Sequence, residues 1–273
     1  MSRSQPVARS LAEPSMMEAM AARGLSNAVD PNAVDPNAID AIAIDATQLP
    51  AFERWRRALG ALAQVMVDPE KTDQVLVFSI YANAGSMPKR IDRFFESDVG
   101  RRLYAEHRTI DSRTIDLDAL AALPEGTLGH AYAMFLRSRG LTPAVFDAPP
   151  TEVNDPRMQY VVQRLRQTHD LWHVVTGHDT DPASEVALQA FTFAQVRAPS
   201  SGILAALGTI RAMVQLPRGE KSRVPKSVLA SLLLGLRANP LPVFAWEEHW
   251  STPLAKVREL LGIPVEGVRK PSA

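Results

Sequence analysis

Residues 169–185, HDLWHVVTGHDTDPASE, carry the side chains most able to do chemistry. His169 and His173 are four apart. On a helix that spacing puts both imidazoles on one face, one turn apart. Neutral imidazole is a good ligand for zinc and other first-row metals. Asp170 lies beside that face and can ligate or hold a water. Gly177 lets the helix stop, and Asp181-Pro182 opens another, with Glu185 in or just after its first turn. Glu185 could then bring a carboxylate to the same centre. Two histidines and up to two carboxylates make a metal site with room for water or substrate.

The pattern differs from the HExxH helix of zinc proteases. Its acid directly follows the first histidine, and Asp170 is too short to serve as that motif's general base. Spacing alone also fits two surface or helix-capping histidines. The neighbours Leu171, Trp172, Val174 and Val175 argue for a buried helix instead. Buried polar groups without partners cost about 1–3 kcal/mol each, and a cation would satisfy the whole set. His178 and Asp179 fall in the following loop and read as solvated.

The elements that must position these residues read as helices. Phe52, Trp55, Leu59, Leu62 and Met66 recur at helical spacing and predict an amphipathic helix that ends before Pro69. Residues 74–82 fit strand or helix, and the context favours helix. Helices are further expected within 87–104, ending near Gly100, and over 117–123. Another spans 128–139, closed by Gly140. The central helix runs from Asp155-Pro156 to Gly177. Later helices are expected at 203–216, 227–236 and 253–261. The fold class is therefore all-α.

Composition bounds the rest. The chain has 273 residues, 46% of them hydrophobic, which is enough for one sizeable core. Residues 27–46 form a five-residue repeat (NAVDP, NAVDP, NAIDA, IAIDA) whose prolines block a helix. Residues 1–49 therefore read as a disordered tail, 50–266 as a single helical domain and 267–273 as a short C-terminal tail. With no cysteine, any metal must be held by His, Asp, Glu or water. Thirty basic and thirty acidic residues leave no overall basic footprint for nucleic acid. The best apolar run, 227–236 (SVLASLLLGL), is half the ~20 residues that cross a bilayer. The N-terminus also lacks the continuous apolar stretch of a signal peptide. A cytoplasmic location is expected, on the inner face of the cell membrane if the source is bacterial.

The motif and its flanks resemble the Coq4 family of ubiquinone biosynthesis proteins. The family pattern His-Asp-x-x-His, eleven residues, then Glu is matched by His169, Asp170, His173 and Glu185. Residues 160–166 (YVVQRLR) resemble the family's YVxxRYR lead-in. Residues 123–136 (LPEGTLGHAYAMFL) are similar to its LPEGSLGxxYxxFL segment. TIDL at 114–117, WEEHW at 246–250 and LGI at 261–263 follow in order, so the likeness covers roughly 52–264. Leu165 replaces an aromatic, and Thr192 stands where the family often has an acid.

The resemblance implies an all-helical, Coq4-like fold and a divalent metal, zinc first, with iron or manganese as alternatives. It implies binding of a polyprenylated quinone precursor, and removal of its ring C1 carboxylate with hydroxylation of that carbon. It equally implies a second role, as a non-catalytic isoprenoid-lipid-binding scaffold organising the other ubiquinone biosynthetic enzymes. A metal-dependent hydrolase is a third class, disfavoured because His107, His130, His178 and His249 add no second His-Asp pair on an apolar helix. His169, Asp170, His173 and Glu185 are the expected metal and catalytic set. Arg164 and Arg166, just upstream, are candidates for the substrate head group. The prenyl tail is expected against apolar residues of 201–245, among them Ile203, Leu204, Ile210, Leu229 and Leu233. That stretch holds six basic residues and one acid, which suits a peripheral membrane surface. A homodimer is compatible with the sequence.

Overall fold

Asp155 and Pro156 open the helix that organises the molecule. The computed structural model describes residues 45–67, 72–147, 153–215 and 223–267. In it the Asp155 carboxylate accepts from the Met158 amide, and proline takes the first turn, where an amide would have no helical acceptor. The helix ends at Gly177, which is left-handed with φ 78°. In chain order the helices are α1 (Ala51–Val67), α2 (Thr72–Ala84), α3 (Met87–Glu96), α4 (Asp98–Ala105), α5 (Leu117–Ala121), α6 (Leu128–Ser138), α7 (Pro156–Thr176), α8 (Pro182–Val196), α9 (Pro199–Gln215), α10 (Arg223–Arg237) and α11 (Leu254–Leu261). There is no strand among the described residues, so the all-α expectation is met. None of their helices is long and apolar enough to cross a membrane.

The C-terminal half of the central helix α7 is buried on nearly all sides. Leu171, Trp172 and Val175 share one core with Tyr132 and Leu136 of α6, Leu188 and Phe191 of α8, and Val257 and Leu261 of α11. Helix α10 crosses α8 closely. A Cβ on Gly235 would lie 2.8 Å from the Phe191 carbonyl oxygen, so only glycine permits the approach. A second cluster joins α1 and α2 through Ala58, Ala61, Phe78 and Tyr81. Asn83 ties it to α9 by bonds to the Ser200 hydroxyl (2.9 Å) and amide (3.0 Å). A third places Met87, Ile91 and Phe94 of α3 against Val161 of α7.

Three expectations change. Residues 45–49, assigned to the tail, belong to the fold: Ala46 is buried in the second cluster. Residues 1–44 and 268–273, which hold most of the repeat and of the C-terminal tail, lie outside the described residues. The single helix within 87–104 is two helices. Ser97 turns extended (ψ 133°) and its hydroxyl caps α4 at the Gly100 amide. Gly100 sits inside α4 because a Cβ there would meet the Phe94 carbonyl oxygen at 2.1 Å. Helix α1 is amphipathic, but it buries its alanines. Phe52 (80% exposed), Trp55, Leu59 and Met66 face outward.

Arg164 pins α7 to the C-terminal segment. Its two terminal nitrogens meet Glu247 at 2.8 and 3.1 Å, and one also donates to the Phe244 carbonyl at 2.9 Å. The arginine is 1% exposed and the glutamate side chain 10%. Removing one partner strands a buried charge. Arg164→Ala should lower unfolding stability by about 3–5 kcal/mol in denaturant titrations, and the double substitution of Arg164 and Glu247 by methionine should recover most of it.

Candidate metal centre

Helix α7 delivers His169 and His173 one turn apart, their ring centroids 4.9 Å from each other. Gly177 reverses the chain. The Asp181 carboxylate then caps α8 by accepting from the Ala183 and Ser184 amides, and Pro182 follows it. Glu185 stands in that first turn, its amide bonded to the Asp181 carbonyl at 2.9 Å. One ligand atom each from His169, His173 and Glu185 all lie within 4.8 Å of one another. His173 Nε2 and Glu185 Oε1 are 3.4 Å apart. That equals the spacing of two ligands about 2.1 Å from a tetrahedral ion.

The surroundings settle which nitrogen of His173 is free. Its Nδ1 lies 3.2 Å from the His178 carbonyl oxygen, which can only accept. The proton therefore sits on Nδ1, and Nε2 offers its lone pair toward Glu185. Phe135 of α6 stacks on the ring at 5.4 Å, and the Arg139 guanidinium lies 3.9 Å from the centre of the Phe135 ring. Burial, helped by the neighbouring His169, holds His173 well below the ordinary histidine value. It is thus a neutral ligand at physiological pH. Burial also pushes His169 down, but the carboxylates of Asp170 and Glu185 outweigh it and raise the ring. Asp170 is buried, with Oδ1 3.6 Å from His169 Nδ1. It stands behind His169 rather than among the converging atoms.

Of the two loop residues expected to be solvated, Asp179 is half exposed and His178 is not. His178 is 7% exposed, and its Nε2 lies 2.8 Å from the Ser231 hydroxyl of α10. Burial lowers its pKa to about 4. Asp179 pairs with Arg139. His178 is therefore a support of the centre, contributing a backbone carbonyl. The sequence offered a faint signal for this, a histidine between two helix caps with no other partner nearby.

His169 also lines a cavity of about 280 Å³. Its walls include Val162 and Leu165 of α7, Ile80 of α2, Met87 of α3 and Leu204 of α9. Such a volume is near the lower end for small-molecule pockets. Of the residues expected to hold the tail, Leu204 lines it, whereas Ile210, Leu229 and Leu233 lie exposed on the outer faces of α9 and α10. Arg166 lines the cavity beside His169. Arg164 does not, being spent on Glu247. Arg90 of α3, not singled out in the sequence, lines it as well.

The model of the family "Coenzyme Q (ubiquinone) biosynthesis protein Coq4" matches residues 45–266. A protein of Laccaria bicolor, named "Ubiquinone biosynthesis protein COQ4, mitochondrial", is 32% identical over 78% of this chain and 70% of its own length. A Pyricularia oryzae protein of the same name is 34% identical over 77% and 68%. A crystal structure from Nostoc punctiforme, of a protein assigned to ubiquinone biosynthesis, superimposes with a TM-score of 0.63. It is 28% identical and covers 76% of this chain and 97% of that one.

The Ser231 contact offers a test of how the centre is supported. Ser231 is fully buried, so Ser231→Ala leaves the His178 ring without its partner. The substitution should cost about 1–3 kcal/mol in thermal or denaturant unfolding.

Proposed function

Because the chain belongs to the Coq4 family of ubiquinone biosynthesis proteins, we propose that it performs metal-dependent oxidative decarboxylation at C1 of a polyprenylated 4-hydroxybenzoate-derived ring. The observation that carries this reading is the convergence of His169, His173 and Glu185, with His169 also lining a mostly apolar cavity. Two imidazoles and one carboxylate, with a position left for substrate or water, are a donor set suited to a catalytic rather than a structural cation.

His169, His173 and Glu185 would hold the ion. Asp170 would steady His169, and the His178 carbonyl would fix His173 in the tautomer that ligates. A divalent cation there would orient the head-group oxygens and stabilise negative charge on them, with iron or manganese also able to exchange electrons. The apolar walls bury the prenyl chain and exclude water from the head group. The overall change replaces the ring carboxyl by hydroxyl: the acid and one oxygen atom give the phenol and carbon dioxide. That consumes a two-electron oxidant, half a molecule of dioxygen in the simplest balance.

A second reading, the lipid-binding scaffold, is favoured by the outward apolar residues. Phe52 and Leu59 of α1, Ile210 and Val214 of α9, and Leu229 and Leu236 of α10 are exposed, with Arg211, Lys226 and Arg237 on the same helices. Such faces suit a membrane surface or another biosynthetic enzyme.

Purified protein should carry close to one divalent cation per chain by elemental analysis. His173→Ala and Glu185→Gln should weaken metal binding by far more than Asp170→Asn, for which about 10–100-fold is expected. Metal-loaded protein should convert a C1-carboxylated prenylated precursor when oxidant is present. Retained metal without turnover would favour the scaffold. Retention of metal and of quinone synthesis by Ala variants at all four positions would refute the site.

A further inference from the structure

Arg90 occupies a place where an apolar residue is expected. Met87, Ile91 and Phe94 are the buried face of α3, and Arg90 sits among them at positions i, i+3, i+4, i+7. Arg90 lines the cavity that His169 also lines. Nε and Nη1 are buried, and neither has a hydrogen-bond partner. Burial alone lowers its pKa to about 10, so it remains a cation at neutral pH. The contrast with Arg164 is direct. That buried guanidinium has a carboxylate on its terminal nitrogens and a carbonyl besides. A desolvated charge with no counter-charge is costly to keep, and folding gains nothing from this one. Thr192 of α8 lines the same cavity, and its buried hydroxyl is likewise without a partner. Arg90 and Thr192 are thus polar side chains of this cavity that the protein itself leaves without partners.

We propose that Arg90 is an anion-binding subsite, taking the oxyanion, carboxylate or phosphate, of an apolar ligand that lies in the cavity. The inference deepens the reading above and rests on it for the apolar part of the ligand. A guanidinium matches a planar carboxylate or a phosphate through two parallel hydrogen bonds, and it does so most strongly where water is excluded. The cavity then has an anion-binding point on α3 and the candidate metal centre at His169. A ligand whose anionic end meets Arg90 packs its tail against the apolar walls. Arg90 thereby selects acids over their neutral counterparts, a discrimination that the aliphatic walls cannot make.

The test is a set of matched binding titrations on the full chain, read by tryptophan fluorescence, to which Trp172 in the cavity wall contributes. The probes are a farnesylated 4-hydroxybenzoic acid against its methyl ester, and farnesyl phosphate against farnesol. At least one anion should bind roughly tenfold or more tighter than its neutral partner. Arg90→Gln should abolish that preference by weakening the anion alone. Arg90→Lys should keep part of it. A preference in the acid pair identifies an aromatic carboxylate as the partner of Arg90. A preference in the phosphate pair identifies a prenyl phosphate. Ligand-free Arg90→Gln should melt no lower than the parent chain, because an unpaired charge has been removed. Absence of any anion preference, absence of binding by every probe, a preference that survives Arg90→Gln, or failure of that variant to fold would each overturn the proposal. Metal content, measured on the same samples, reports separately on the centre. A chain that binds its cation but shows no Arg90-dependent preference would refute this inference alone.

Discussion

Polar ligands placed inside an apolar helix must be satisfied, and that constraint shapes this molecule. Helix α7 carries His173, Asp170, Gln167, Thr168 and Arg164, all buried, among leucines, valines and a tryptophan. Each needs a partner that water cannot supply. Arg164 finds Glu247, and Gln167 accepts from the Ile110 amide. Thr168 bonds back to the Arg164 carbonyl. His173 uses one nitrogen on the His178 carbonyl and turns the other toward Glu185. The helices around α7 meet most of these demands, while Arg164 Nε and His169 Nδ1 stay buried without a hydrogen-bond partner. The tight loop after Gly177 exists to bring both the His178 carbonyl and Glu185 back to the same imidazole.

Much of the centre was legible because it is local. Residues 155–185 contain both caps, the glycine stop, the two histidines and Glu185, and short-range rules suffice to place them. The all-α class followed from periodicity in the same way. What was not legible depends on contacts between distant segments. The solvated reading of His178 fails because Ser231, 53 residues away, closes over it. Arg164 looked available for substrate because nothing nearby announces Glu247, 83 residues on. Most of the apolar stripe of α1 faces outward, because the alanines pack against α2 and let the two helices approach. The break at Ser97 needed the closeness of Gly100 to the Phe94 carbonyl, which no local pattern encodes. Arg90 left a trace, an arginine on an otherwise apolar helix stripe, but only the cavity gives that trace a meaning.

Family membership and geometry contribute different things. The match over residues 45–266 ties the chain to ubiquinone biosynthesis. The placement of side chains indicates how such a role can be carried out. Three convergent side chains, an apolar cavity beside them and exposed apolar residues on α1, α9 and α10 are the features on which the proposed role rests.

The central claim, a cation seated between α7 and α8, is tested most directly by anomalous diffraction from crystals of the metal-loaded chain, collected on both sides of the metal's absorption edge. The account predicts a single strong peak within bonding distance of His173 Nε2, an imidazole nitrogen of His169 and the Glu185 carboxylate. A peak elsewhere, or density for Glu185 swung away with no peak between the histidines, would contradict it.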